Sequence, residues 1–163
     1  MEQAIVNSTS EAFNAYFAQF APLFGRVDTQ RRAAQYLRGL LTQHAERRNA
    51  ENLAAAVAGA TPRALQRLLT ESPWDHGLVI DALQAFLAPL LNADDGVWVL
   101  EELASAKDGE HSVGVAYHRN GRVGQVSNCQ LGVFLAYASS RGQALVDGRL
   151  YLPPIWADDA KCR

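Results

Sequence analysis

The sequence predicts an α+β protein, a helical bundle followed by an antiparallel sheet, because its apolar pattern changes period once, near residues 92–96. Before that point apolar residues recur at three- and four-residue steps. After it they gather in short runs rich in β-branched and aromatic residues. The segments between those runs are short, which suits antiparallel neighbours and leaves no room for parallel crossovers. The expected division is a helical region over residues 1–92 and a sheet region over 93–163, the two sharing one core.

Each element has a local reason. Phe13, Phe17, Phe20 and Phe24 predict an amphipathic helix over Ser10–Phe24, interrupted near Pro22. Asp28 is placed to cap a second helix with Ala33, Tyr36, Leu37, Leu40 and Leu41 on one face and Arg31, Arg32 and Arg38 off it. Asn49 or Ala50 opens a short third helix, Glu51 to Ala58, closed by Gly59. Thr61-Pro62, a capping hydroxyl followed by proline at the first helical position, starts a fourth. Its Leu65, Leu68 and Leu69 point inward, and Arg63, Gln66 and Arg67 outward. Asp75 begins a fifth helix that reaches about Leu91, with Val79, Leu83, Phe86, Leu87 and Leu90 on its apolar side.

Val97–Leu100 then reads as a buried strand ending in two acids, Glu101 and Glu102. Ser112–His118, Val126–Ala138 and Ala144–Leu152 read as further strands, with Asn120-Gly121 as a tight turn between the second and third. Asn128 and Gln130 need hydrogen-bond partners inside their strand, and Cys129 is expected as a small core residue. Trp74, Trp98 and Trp156 are expected to anchor helices, sheet and tail.

Composition narrows the function. A hydrophobic fraction of 48% with 20% charged residues is that of a globular chain. No apolar run approaches the ~20 residues of a membrane helix, and Met1-Glu2-Gln3 does not open a signal peptide, so a cytoplasmic protein without membrane contact is expected. The cysteines Cys129 and Cys162 show neither disulfide nor metal spacing. The net charge of −2 lacks the basic excess usual for phosphate-driven binding. The arginines nevertheless cluster in the first half, at Arg26, Arg31, Arg32, Arg38, Arg47, Arg48, Arg63 and Arg67, so any nucleic-acid contact has to come from a local basic face.

Two constellations could carry chemistry. Glu51 to Leu69 has helix-turn-helix spacing, and Arg63, Gln66 and Arg67 would project from the first turns of its second helix toward bases or phosphates. Packing of two short helices in a bundle explains the same spacing without DNA. Glu101 and Glu102 could hold a rigid carboxylate, but adjacent strand residues point to opposite faces, so only one could serve a given site. His111 and His118 flank the next strand, and neither they nor His44 and His76 have metal-ligand spacing. No metal site and no cofactor is expected.

Several phrases resemble the N-terminal region of bacterial insertion-sequence transposases with a DDE superfamily endonuclease domain. They are Phe20-Ala21-Pro22-Leu23-Phe24, Tyr36-Leu37-Arg38-Gly39-Leu40-Leu41, Arg47-Arg48-Asn49-Ala50-Glu51-Asn52, Leu65-Gln66-Arg67-Leu68-Leu69 and Trp74-Asp75. The likeness resumes in His111-Ser112-Val113-Gly114-Val115, in the run Asn128 to Ala138, and in Leu150-Tyr151-Leu152-Pro153 with Trp156 and Asp158-Asp159.

The resemblance implies a partial RNase H-like sheet whose first strand, in the family, ends in Asp-Asp/Glu-Thr-Gly-Phe. Here the corresponding run is Glu101 to Glu110, with Glu101 at the place of the first catalytic aspartate, Thr-Gly-Phe absent, and Asp108 and Glu110 where the family has basic residues. The residues after Glu101 hold the remaining strands but not the later strand and helix that bring the second and third acids. A truncated, domesticated fragment without strand-cleaving activity is therefore expected.

Three functional classes stay open. One is a DNA-binding or regulatory module using Arg63, Gln66 and Arg67, with duplex DNA as partner. Another is an interaction module, such as a homodimer that covers a sheet edge. The last is a small enzyme that takes a small-molecule ligand in the old cleft, with Glu101, Glu102, His111 or His118 as acid–base groups.

Overall fold

A computed structural model describes residues 2–42, 48–119 and 124–158; for residues 2–8 it describes the backbone alone. Six α-helices and a four-stranded antiparallel sheet make up the described residues, which places the fold in the α+β class. The helices are α1 (Glu2–Ala18), α2 (Val27–Thr42), α3 (Ala50–Ala55), α4 (Pro62–Thr70), α5 (His76–Leu91) and α6 (Pro154–Ala157). The strands are β1 (Val97–Ala106), β2 (Ala116–Arg119), β3 (Val126–Ser139) and β4 (Gly142–Leu150). Among the described residues no helix is long and apolar enough to cross a membrane. The chain forms two compact units, Met1–Ala82 and Leu83–Arg163.

In the first unit an aromatic ladder runs from α1 to the segment between α4 and α5. Phe13 stacks on Phe17 and Phe17 on Phe24, and the Phe24 ring lies 5.2 Å from Trp74. The Trp74 indole donates to the Leu68 carbonyl at 2.7 Å, so this tryptophan anchors as the sequence predicts. Helix α1 starts eight residues earlier than its phenylalanine spacing indicates, since neither glycine nor proline interrupts Glu2 to Ser10. It ends at Ala18, and Phe24 closes a separate turn of 3-10 helix, Ala21–Phe24, set by Pro22.

Helix α2 also departs from expectation at its start. Asp28 lies inside the first turn instead of capping it: the Arg26 carbonyl accepts from the Gln30 amide at 3.0 Å, and the Asp28 carboxylate accepts from Arg31 at 2.7 Å. The next two caps form as predicted. The Asn49 side chain accepts from the Asn52 amide at 2.9 Å, and the Thr61 hydroxyl accepts from the Ala64 amide at 3.3 Å. The Asp75 carboxylate likewise accepts from the Gly77 amide ahead of α5.

Helices α2, α3 and α4 enclose a core of Leu53, Ala54 and Leu65, flanked by Tyr36, Leu40, Ala50 and Ala60. Leu68 is also buried, but Leu41, Leu69 and Leu90, expected on apolar faces, are 65%, 55% and 52% exposed. Helix periodicity gives a stripe wider than the contact a short helix makes, and these leucines sit at its margins.

In the second unit β3 is the central strand. It pairs with β1 along one side, from Val97 opposite Ala138 to Ala106 opposite Cys129. Along its other side it pairs first with β2 and then with β4, which carries a bulge at Val146. The predicted strand over Ser112–His118 shortens to β2, because Ser112–Val115 forms a turn closed by a 3.0 Å bond from the Val115 amide to the Ser112 carbonyl. Gly114 takes φ +78° there, with the Tyr151 carbonyl 3.0 Å from where a Cβ would sit, so only glycine fits. Asn120-Gly121 lies outside the described residues.

Asn128 and Gln130 of β3 find the partners they need, whereas the Ser127 hydroxyl and the facing His118 Nε2 are buried without a hydrogen-bond partner among the described residues. Asn128 donates to the Lys107 and Gly109 carbonyls, Gln130 donates to Val113, and Cys129 is fully buried. Helix α6 escaped the sequence reading. It follows Pro153, and Trp156 within it donates to the Val115 carbonyl at 2.7 Å, which anchors the tail to the β2 end of the sheet.

Candidate functional sites

The helical unit presents one exposed face of polar and basic side chains on α4. Helix α4 buries Leu65 and Leu68, and its opposite side carries Arg63, Gln66 and Arg67, all exposed. Spacings of three and four residues put these three side chains on neighbouring rows of the helix. They are not equivalent. The Arg67 guanidinium is held by Glu71, one turn on, at 2.7 Å, whereas Arg63 and Gln66 have no side-chain partner among the described residues. Gly59, at φ +72°, turns the chain between α3 and α4.

The acids of the sheet unit sit elsewhere than predicted. Strand β1 does not end at them but runs on to Ala106, so Glu101 and Glu102 are mid-strand, opposite Phe134 and Val133. A strand's hydrogen bonds are made by its backbone, and β3 is long enough to pair with all of β1 whatever side chains it bears. The apolar run before them is not buried either. Val97, Trp98, Val99 and Leu100 are all exposed, Leu100 at 71%, and β1 is an edge strand that pairs only with β3 among the described residues.

By alternation Glu101 shares a face with Val99 and Leu103, and Glu102 shares the other with Trp98 and Leu100. Both glutamates are exposed. A pair of divalent ions about 4 Å apart needs several carboxylates converging from different elements. Consecutive glutamates on opposite faces do not fit it. Among the described residues no three His, Cys, Asp or Glu side chains come close enough to hold a metal ion.

The histidines do not join the glutamates. His111 is exposed in the segment between β1 and β2. His118, on β2, stands opposite Ser127, with its ring edge-on to Tyr151. Ser127 lies seven positions along β3 from Phe134, the partner of Glu101, a span of roughly 23 Å at strand rise. Val133, the partner of Glu102, is six positions from Ser127, roughly 20 Å, so His118 stands apart from both acids. A cavity of about 320 Å³ lies on the same unit, lined by Leu87, Ala88 and Leu91 of α5 and by Trp98, Leu135, Tyr137 and Val146 of the sheet, with none of the four predicted acid–base residues in its wall.

What the structure defines, then, is a capped helical unit followed by an antiparallel sheet with two adjacent acids on its edge strand. The family model of the DDE superfamily endonucleases matches residues 19–163, and the chain belongs to that superfamily. No curated protein and no solved structure matches it.

Proposed function

We propose that this transposase-like DDE chain acts as a DNA-binding or regulatory module and no longer cleaves DNA. One observation carries the reading: α4 packs through Leu65 and Leu68 while Arg63, Gln66 and Arg67 occupy its free side next to a capped N-terminus. That is where the second helix of a helix-turn-helix meets the major groove. In this reading residues 1–92 make the contact, and residues 93–163, read as an RNase H-like sheet, are retained as scaffold. Loss of cleavage is supported by Glu101 standing where the resemblance expects an aspartate, and by the divergent directions of Glu101 and Glu102. The small-molecule enzyme reading has less support, since its acid–base residues are spread over the sheet.

Fluorescence anisotropy with labelled duplex DNA tests both halves of the proposal. The unaltered chain is expected to bind duplex with an affinity that falls as salt rises, and Arg63→Ala/Gln66→Ala to weaken it about tenfold or more, at ~1–3 kcal/mol per base-reading contact. Binding that the double variant leaves unchanged removes the α4 interface. Supercoiled plasmid incubated with the chain and Mg²⁺ or Mn²⁺ is expected to stay intact; nicking that Glu101→Gln abolishes would show a working nuclease.

A further inference from the structure

A second basic feature of the helical unit adjoins the outer face of α4 and shares Arg67 with it. Between the 3-10 turn, the first turn of α2 and the end of α4 is a cavity of about 500 Å³ whose wall includes Arg26, Arg32, Arg67, Thr29 and Ser72. Two acids also line it, and both are already engaged: Asp28 with Arg31 and Glu71 with Arg67, each at 2.7 Å. The side chains of Arg26 and Arg32 have no ion-pair or hydrogen-bond partner among the described residues, and Arg32 is half-buried.

A guanidinium drawn partly out of water without an anion is costly, because its five donors lose hydration and gain nothing. The usual resolution is a carboxylate or phosphate held by paired N–H bonds. Among the described residues no carboxylate lining the cavity is without an arginine of its own. The first turn of the 16-residue α2 borders the same space, and its unpaired amides add positive potential.

We propose that this cavity is an oxyanion site that takes a phosphate group, with Arg26 and Arg32 as its ligands and Arg67 at its margin. Duplex DNA is the source, its backbone phosphate seated here while α4 meets the groove; in this the proposal rests on the DNA-binding reading. The pocket then positions the duplex, and the α4 side chains read it.

The test is a ¹H–¹⁵N NMR titration of the full chain with inorganic phosphate, and separately with duplex DNA. Saturable phosphate shifts are expected at the amides of Gly25, Thr29 and Ser72. They should vanish in Arg26→Gln/Arg32→Gln, whose remaining spectrum stays superimposable, and persist in Arg63→Ala/Gln66→Ala. The same double glutamine variant should lower the slope of log affinity for DNA against log salt by about 1, near 0.9 for the one lost phosphate contact.

Linear, unsaturated phosphate shifts, or shifts unchanged in the glutamine variant, overturn the site. Saturable phosphate binding with an unchanged DNA salt slope overturns DNA as its source and leaves a free phosphate compound as ligand. If the unaltered chain binds no DNA at all, the reading of α4 fails, and the phosphate titration still decides the cavity by itself.

Discussion

The two units use their leucines in opposite ways. In the helical unit Leu53 and Leu65 are sealed between α2, α3 and α4, at 1% and 0% exposure, and the chain's charges fall on the outside. On β1 the large residues Val97, Leu100 and Leu103 are exposed, on both sides of the strand, with two glutamates among them. A capped helix buries one stripe against near neighbours, so its core closes within a few dozen residues. A sheet is held first by its backbone ladder, which forms whether or not its faces are covered. Order on β1 is therefore no guide to burial on β1.

The strongest way to break that comparison is to truncate one leucine from each unit. Leu65→Ala should cost about 2–5 kcal/mol, as deletion of a fully buried leucine does. Leu100→Ala should stay within about 0.5 kcal/mol, since that side chain leaves water only slightly on folding. Urea unfolding of the full chain, followed by far-UV circular dichroism, measures both. Equal losses would mean that the β1 face is covered in solution and that the contrast is false.

A smaller effect sharpens the helical side. Thr61→Ala removes the hydroxyl that accepts from the Ala64 amide and should destabilise by about 0.5–2 kcal/mol, with Thr61→Ser restoring most of it. If serine fails to rescue, the cap is not what holds the turn at Gly59. The smallest effect belongs to the acids. Glu101→Gln and Glu102→Gln, both exposed, are expected to change stability by less than about 0.5 kcal/mol. A marked gain in stability on neutralising either would reveal carboxylates held against repulsion, the signature of a built site.

Legibility followed the same divide. Asn49, Thr61 and Asp75 announced three helix starts because a cap is a contact within four residues of sequence. Asp28 misled because it falls inside the first turn of α2, where its carboxylate pairs with Arg31. The outward direction of Arg63, Gln66 and Arg67 could be read from spacing alone, but the tether from Arg67 to Glu71 and the isolation of Arg32 could not. The extension of β1 through Glu101 and Glu102 was hidden as well, since what licenses it is the length of β3 some thirty residues away.

By itself the sequence determined the class of the fold, the change from helix to strand near residue 92, most caps and the family to which residues 19–163 belong. These rest on local contacts and on periodicity, which the chain carries along its own length. Tertiary structure alone decided which leucines are inside, where the acids point, how far apart Glu101 and His118 lie, and which arginines lack an anion. Each of those depends on segments brought together by packing, and residue order does not encode distance between them.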